Sequence, residues 1–149
     1  PDIVPVIRDY IHEGEQRAKR PANSVNIVIG AVSVVDEDRE QARQLARREV
    51  ALYLPVVAKL DPTVELDPEL IQRIGYYADR HEYDEAGRQI SDDLLDRFAF
   101  AGNPTDMIAH CQRLFDAGAN RIEFGTPHGI DSAEGIRLIG EKVIPALRS

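Results

Sequence analysis

The stretch richest in chemistry is Gly125-Thr126-Pro127-His128-Gly129, which follows the apolar run Ile122 to Phe124 and precedes Asp131. Two glycines allow close backbone approach and unusual dihedrals. Pro127 fixes the segment between them. N–H groups ahead of the following helix can hold an anion or a carbonyl. His128 can donate or accept a proton near neutral pH. Two readings fit these residues: one wall of a binding pocket, or a tight strand-to-helix turn with a solvent-facing histidine. Other strand ends offer less. Gly102-Asn103-Pro104 is explained as a turn plus a helix cap, and Ser33 as a small residue in a packed strand.

Several chemistries are set aside. In His81-Glu82-Tyr83-Asp84-Glu85, Glu85 stands where the second histidine of a zinc-protease HExxH helix belongs. That cluster reads as a solvated turn. Gly135 to Lys142 has a glycine at the phosphate-loop interval, lacks the Gly-Lys-Ser/Thr ending and lies in a helical pattern. No Gly-x-Ser-x-Gly elbow occurs in the sequence. Cys111 lies on an apolar helical stripe with His110 pointing elsewhere, and reads as a buried structural thiol. His12, His81 and His110 sit in polar contexts and are expected at the surface. No metal site is expected, and no residue takes a catalytic role.

The elements that position these residues alternate. Residues 1–20 carry Ile3, Val6, Ile7, Tyr10 and Ile11 on one helical stripe, ended at Arg20-Pro21. Residues 25–35, nearly free of charge and rich in Val and Ile, read as a strand covered on both faces. Asp36 is the expected cap of a helix burying Ala42, Leu45, Ala46, Val50, Tyr53 and Leu54. Residues 61–97 read as helical packing: a helix from Asp67-Pro68, a polar connection over 81–89, and a short helix opened by Ser91. Residues 98–102 form a short strand. Asn103-Pro104 caps a helix with Met107, Ile108, Cys111, Leu114 and Phe115 on one face, stopped by Gly118. Residues 120–125 form a third strand. Asp131 with Glu134 makes a capping box for a last helix, whose buried stripe is Ile136, Ile139 and Val143. Alternation of this kind predicts parallel βαβ units. Three strands alone leave two open edges, whereas a closed (β/α) barrel takes eight strands and about 250 residues. The expectation is an α/β fold forming part of a larger barrel.

Bulk properties narrow the partners. With 149 residues, 43% hydrophobic and 30% charged, the chain suits one soluble domain with a real core. A net charge of -8 argues against nucleic acid, whose phosphates require clustered Lys and Arg. No run reaches the eighteen or so apolar residues of a membrane span, and no signal peptide is recognisable. One cysteine cannot form an internal disulfide, which fits a reducing cytoplasm. The sequence opens on Pro1 without a methionine, so a processed, cut or partial N-terminus is expected.

Taken in order, Phe98 to Pro104, Ala117-Gly118, Gly125 to Gly129 and Leu138 to Pro145 resemble the C-terminal end of the luciferase-like flavin and deazaflavin oxidoreductases. The nearest branch is the coenzyme F420-dependent methylenetetrahydromethanopterin reductase group. Upstream, Val32 to Arg47 resembles that family's strand and helix before its extra helical segment. The resemblance implies the C-terminal portion of a TIM (β/α)8-type barrel over 1–149, with about three parallel strands, flanking helices and a helical insertion at 61–97. It implies hydride transfer between reduced deazaflavin and a small-molecule substrate, with coenzyme F420 as cofactor. The alternatives are an FMN-dependent monooxygenase of the same superfamily and a non-catalytic half-barrel that binds a partner. Most cofactor contacts would come from an N-terminal barrel half absent from this sequence, and members commonly form homo-oligomers. Gly125, Thr126, Pro127, His128 and Gly129 are carried over as residues lining the cofactor pocket. At His128 close relatives often have an aliphatic residue.

Overall fold

Val28–Val35 forms the central strand, β1. It pairs in parallel with β2, Ala99–Gly102, on one side and with β3, Arg121–His128, on the other. The computed structural model describes residues 1–148. The remaining elements are helices: α1 (Ile3–Arg17), α2 (Arg39–Val57, prolonged by a 3-10 turn at Ala58–Leu60), α3 (Pro68–Asp79), α4 (Tyr83–Arg88), α5 (Asp92–Phe98), α6 (Pro104–Asp116), α7 (Ser132–Leu138) and α8 (Ile144–Leu147), with a π turn at Ile139–Val143 before α8.

The strand order β2-β1-β3 dictates where the helices lie. A right-handed crossover from β1 to β2 and another from β2 back past β1 run in opposite directions, so their helices fall on opposite faces. Two cores result. Val34, Ala99 and Ala101 pack with Ala46, Val50 and Leu54 of α2 and with Ile74 and Leu95 from the following helices. Val35 and Phe100 pack on the other face with Val4 of α1, Met107, Cys111 and Leu114 of α6, and Leu138 and Val143. The parallel α/β architecture matches expectation. The order differs from a sequential run of barrel strands, because β3 neighbours β1 and not β2. Within the described residues this order covers both faces of the sheet, whereas a sequential arc of three strands leaves one face bare.

Helix starts follow local chemistry. Ser91 accepts from the Leu94 N–H, and Asn103 and Asp106 form a reciprocal capping box. Asp131 accepts from the Glu134 N–H. The cap of α2 is Asp38, which takes the Glu40 and Gln41 N–H groups, and not the expected Asp36. Asp36 instead accepts from the Asp38 N–H and shapes the turn before it. The expected polar connection over 81–89 contains α4, whose Ala86 and Gly87 are buried. The expected stripes hold through Ile3, Ile7, Ile11, Ile139 and Val143 and fail at single positions, with Phe115 of α6 also at the surface. Tyr10 and Ile136 are exposed, while Val4 and Leu138 fill the core.

Two polar side chains anchor α2, the buried Arg43 and the half-buried Tyr53. Arg43 of α2 donates to Asp96 at 2.7 Å, to Asp92 at 3.0 Å and to the Ala101 carbonyl at 3.2 Å. The Tyr53 hydroxyl donates to the Phe98 carbonyl at 3.0 Å. These bonds tie α2 and α5 to the short strand β2. Glu15 closes the α1–β1 connection by accepting from the N–H groups of Asn23 and Val25 and from the Ser24 hydroxyl. Burial opposes its charge, but these donors outweigh it and hold the carboxyl below its usual range.

Candidate functional site

The candidate residues lie at the C-terminal end of β3, beside the ends of β1 and β2. Strand β3 continues to His128, three residues past its expected end. Val32 of β1 faces Gly125, and Val34 faces His128. One residue of β1 therefore lies opposite Thr126 and Pro127 together, which is a bulge. Pro127 cannot donate to a ladder, and the bulge accommodates it. The Thr126-Pro127 bond is cis.

Both glycines are explained by neighbouring backbone. A Cβ on Gly125 would sit 2.7 Å from the Ala31 carbonyl oxygen of β1. A Cβ on Gly129 would sit 2.6 Å from the Asp131 carbonyl oxygen and 2.8 Å from Gly135 Cα. Gly125 thus lets two strands close together, and Gly129 seats the turn on the first turn of α7.

His128 is different. Its φ is +77°, in the region that favours glycine. For a residue bearing a Cβ this costs on the order of 1–2 kcal/mol. Its Nε2 lies 3.2 Å from the Phe124 carbonyl oxygen. A carbonyl only accepts, so that contact assigns the hydrogen to Nε2. Nδ1 is left as a lone-pair acceptor, buried and without a hydrogen-bond partner. A ligand N–H or O–H is the complementary group. Thr126 is exposed beside it, and Pro127 and His128 are half-buried.

The ends of β1 and β2 are engaged structurally. Ser33 is buried and donates to the Ala31 carbonyl. Arg39 donates to Asp106 at 3.0 Å, joining the starts of α2 and α6. Lys142 pairs with Glu37. Both cations near the strand ends are thus committed to carboxylates, among Asp36, Glu37, Asp38, Asp106 and Asp131. Negative groups find no unpaired cation among these residues. The strand end therefore offers an uncharged hydrogen-bond acceptor, His128 Nδ1, with the nearby cations Arg39 and Lys142 already paired.

Two predicted surface histidines, His12 and His81, are exposed. His110 is a correction: it is 9% exposed and tilts against Phe100, ring centroids 5.0 Å apart. Burial, with Arg113 adding to it, pushes its pKa down to about 4. Its spacing to Met107, Cys111 and Leu114 puts it on the buried stripe, and that spacing was the available signal. Cys111 is buried as expected, and burial raises its thiol to about 11. Among the described residues no three His, Cys, Asp or Glu side chains group to hold a metal. No described helix is long and apolar enough to cross a membrane.

A model of the luciferase-like monooxygenase family matches residues 1–121. The chain belongs to this family. Among curated relatives, the 5,10-methylenetetrahydromethanopterin reductase of Archaeoglobus fulgidus is 30% identical over 152 residues, spanning 96% of this chain and 45% of that protein. The proteins of the same name from Methanopyrus kandleri and Methanolobus tindarius are 25% and 28% identical, over 91% and 90% of this chain. The chain spans less than half the length of each, 39% and 42% of the latter two. A solved coenzyme F420 dependent tetrahydromethanopterin reductase from Methanopyrus kandleri matches with a TM-score of 0.81 at 23% identity, over 97% of this chain and 42% of that one. This likeness shows that the chain's elements follow a portion of a TIM-type barrel, while the order β2-β1-β3 departs from that barrel's sequential strands.

Proposed function

We propose that this chain is part of a coenzyme F420-dependent oxidoreductase that transfers a hydride between reduced deazaflavin and a small-molecule substrate. The observation that carries the reading is that three proteins named as methylenetetrahydromethanopterin reductases each align with 90% or more of the chain. In this reading residues 1–149 are the C-terminal part of one barrel domain, with 61–97 as its helical insertion. An N-terminal barrel half supplies the other strands, and the compartment is the reducing cytoplasm.

Gly125, Thr126, Pro127, His128 and Gly129 would form one wall around the cofactor ring. The deazaflavin, when bound, supplies the hydride chemistry. The chain's own part is to orient and to exclude water. His128 Nδ1 offers an acceptor to a ring or substrate N–H, and Pro127 offers an apolar surface beside it. Engaging that buried acceptor recovers about 1–3 kcal/mol otherwise lost to an unsatisfied polar group.

The test is a fluorescence titration of the full-length protein with coenzyme F420 and with FMN. Saturable binding of F420 in preference to FMN is the expected result. Binding of FMN alone favours the monooxygenase reading suggested by the family's description and overturns this one.

A further inference from the structure

A cleft of 510 Å³ lies between α2 and the α4–α5 segment. Small-molecule sites occupy roughly 300–1,000 Å³. Gln44, Arg47 and Arg48 line it from α2, and Asp84, Gly87 and Ser91 line it from across. Gln44, Arg48 and Asp84 also line a hollow of 170 Å³ that reaches Ile130, two residues past His128. Arg48 therefore stands where the two spaces meet. Gly87 sets the depth of the floor. A Cβ there would lie 3.1 Å from the Arg48 amide nitrogen, so the missing side chain lets α4 lie directly on α2.

The arginines around the cleft differ in how their donors are used. Arg47 donates to the Ile90 carbonyl and to Asp92, and Arg88 donates to Glu85. Arg48 does not follow them. Its Nε is shielded from solvent and has no hydrogen-bond partner. Asp84 lies 3.3 Å away, but the N–H does not point at its oxygen. The two side chains are 42% and 58% exposed, so water screens their attraction. A donor withdrawn from water and left unbonded is unfavourable. The edge of a guanidinium offers two parallel N–H groups, a match for two oxygens of a carboxylate or phosphate. Gln44, one turn earlier on α2, brings an exposed amide to the same cleft.

We propose that Arg48 anchors an oxyanion site, holding the carboxylate or phosphate of a small molecule that lies in this cleft. The anion takes the guanidinium edge that Asp84 faces without bonding, and the exposed Asp84 side chain turns out to water. Asp92 also lines the cleft, but Arg43 and Arg47 already neutralise it. Glu40 and Asp84 are the acids that oppose an incoming anion. A lone inorganic anion is therefore held with a dissociation constant of roughly 1 mM, and a larger ligand gains further contacts from the rest of the cleft. The site does not depend on which cofactor the barrel takes.

Phenylglyoxal labelling of arginines in the full-length protein, mapped by peptide mass spectrometry, tests this. Inorganic phosphate, and separately malonate, is raised at an ionic strength held constant with chloride. Labelling of Arg48 should fall saturably, half-way at roughly 1 mM. Arg17 of α1, 81% exposed, should label at the same rate throughout. Asp84→Asn removes the competing carboxylate and should lower the half-way concentration about threefold or more. Calorimetric titration of the same protein supplies the second reading. Arg48→Gln should weaken the tighter-binding anion about tenfold or more, with its circular dichroism spectrum and urea midpoint those of the parent. Stronger protection by phosphate identifies a phosphorylated ligand, and stronger protection by malonate a carboxylic one; both uphold the site. Arg48 labelling that ignores both anions overturns the proposal, as does protection shared equally by Arg17. So does an Arg48→Gln variant that binds as the parent does.

Discussion

At the scale of single residues, two histidines give opposite lessons. His110 is neutral in the folded protein because burial holds its pKa near 4, against 6.5 when exposed. Between those values the unfolded chain binds the proton and the folded chain does not. Stability from this group is therefore complete above pH 6.5 and is lost as the pH falls toward 4. The loss should total on the order of 3 kcal/mol. Thermal midpoints of the parent should fall across this window, and those of His110→Leu should fall much less. His128 is the reverse case, a residue at which geometry costs stability. His128→Gly relieves the positive φ and should leave stability unchanged or raise it by about 1 kcal/mol, read from urea midpoints. If the proposed cofactor wall is right, His128→Ala in the full-length enzyme lowers kcat/KM several-fold. Unchanged kinetics would make His128 a turn residue only. From sequence, His128 stood out because a histidine between proline and glycine is locally odd. His110 did not, because Gln112 and Arg113 close by look polar while its helical spacing is apolar.

Elements show where local chemistry suffices. Ser91, Asn103 and Asp131 start their helices as read, because capping involves only a side chain and N–H groups two or three residues away. The start of α2 was misplaced by two residues because Asp36, Glu37 and Asp38 are all acidic, and the end of β1 decides among them. The continuation of β3 was illegible for a different reason. Gly125 and Pro127 spell a loop locally, and only pairing with β1 keeps them in the strand. Gly125→Ala should therefore destabilise by about 1–3 kcal/mol, since its Cβ would press on the Ala31 carbonyl. The Arg43 network belongs to this scale as well. It joins α2, α5 and β2, and the guanidinium holds the Asp92 carboxyl below its usual range. Arg43→Ala strips a donor from the Ala101 carbonyl and empties buried space, but Asp92 and Asp96 are half exposed and can rehydrate. A loss of about 2–3 kcal/mol in a urea titration is expected, below the figure for a fully buried pair.

For the whole molecule, the class of fold was legible and the order of strands was not. Alternating helix and strand patterns report parallel βαβ units wherever they occur. Whether the third strand lies beside the second or returns to the first is set by which face each crossover covers, and no short stretch of sequence encodes that choice. The order β2-β1-β3 also has a consequence for synthesis. Of these three strands the central one is made first, and its two partners here follow about 65 and 90 residues later. The Ile27 N–H waits for Asn120, 93 residues downstream. While the ribosome adds that length, the edge of β1 that takes β3 lacks this partner. Non-local closure of this kind is slow and aggregation-prone. The nascent chain should therefore depend on holding chaperones from the emergence of β1 until β3 is made.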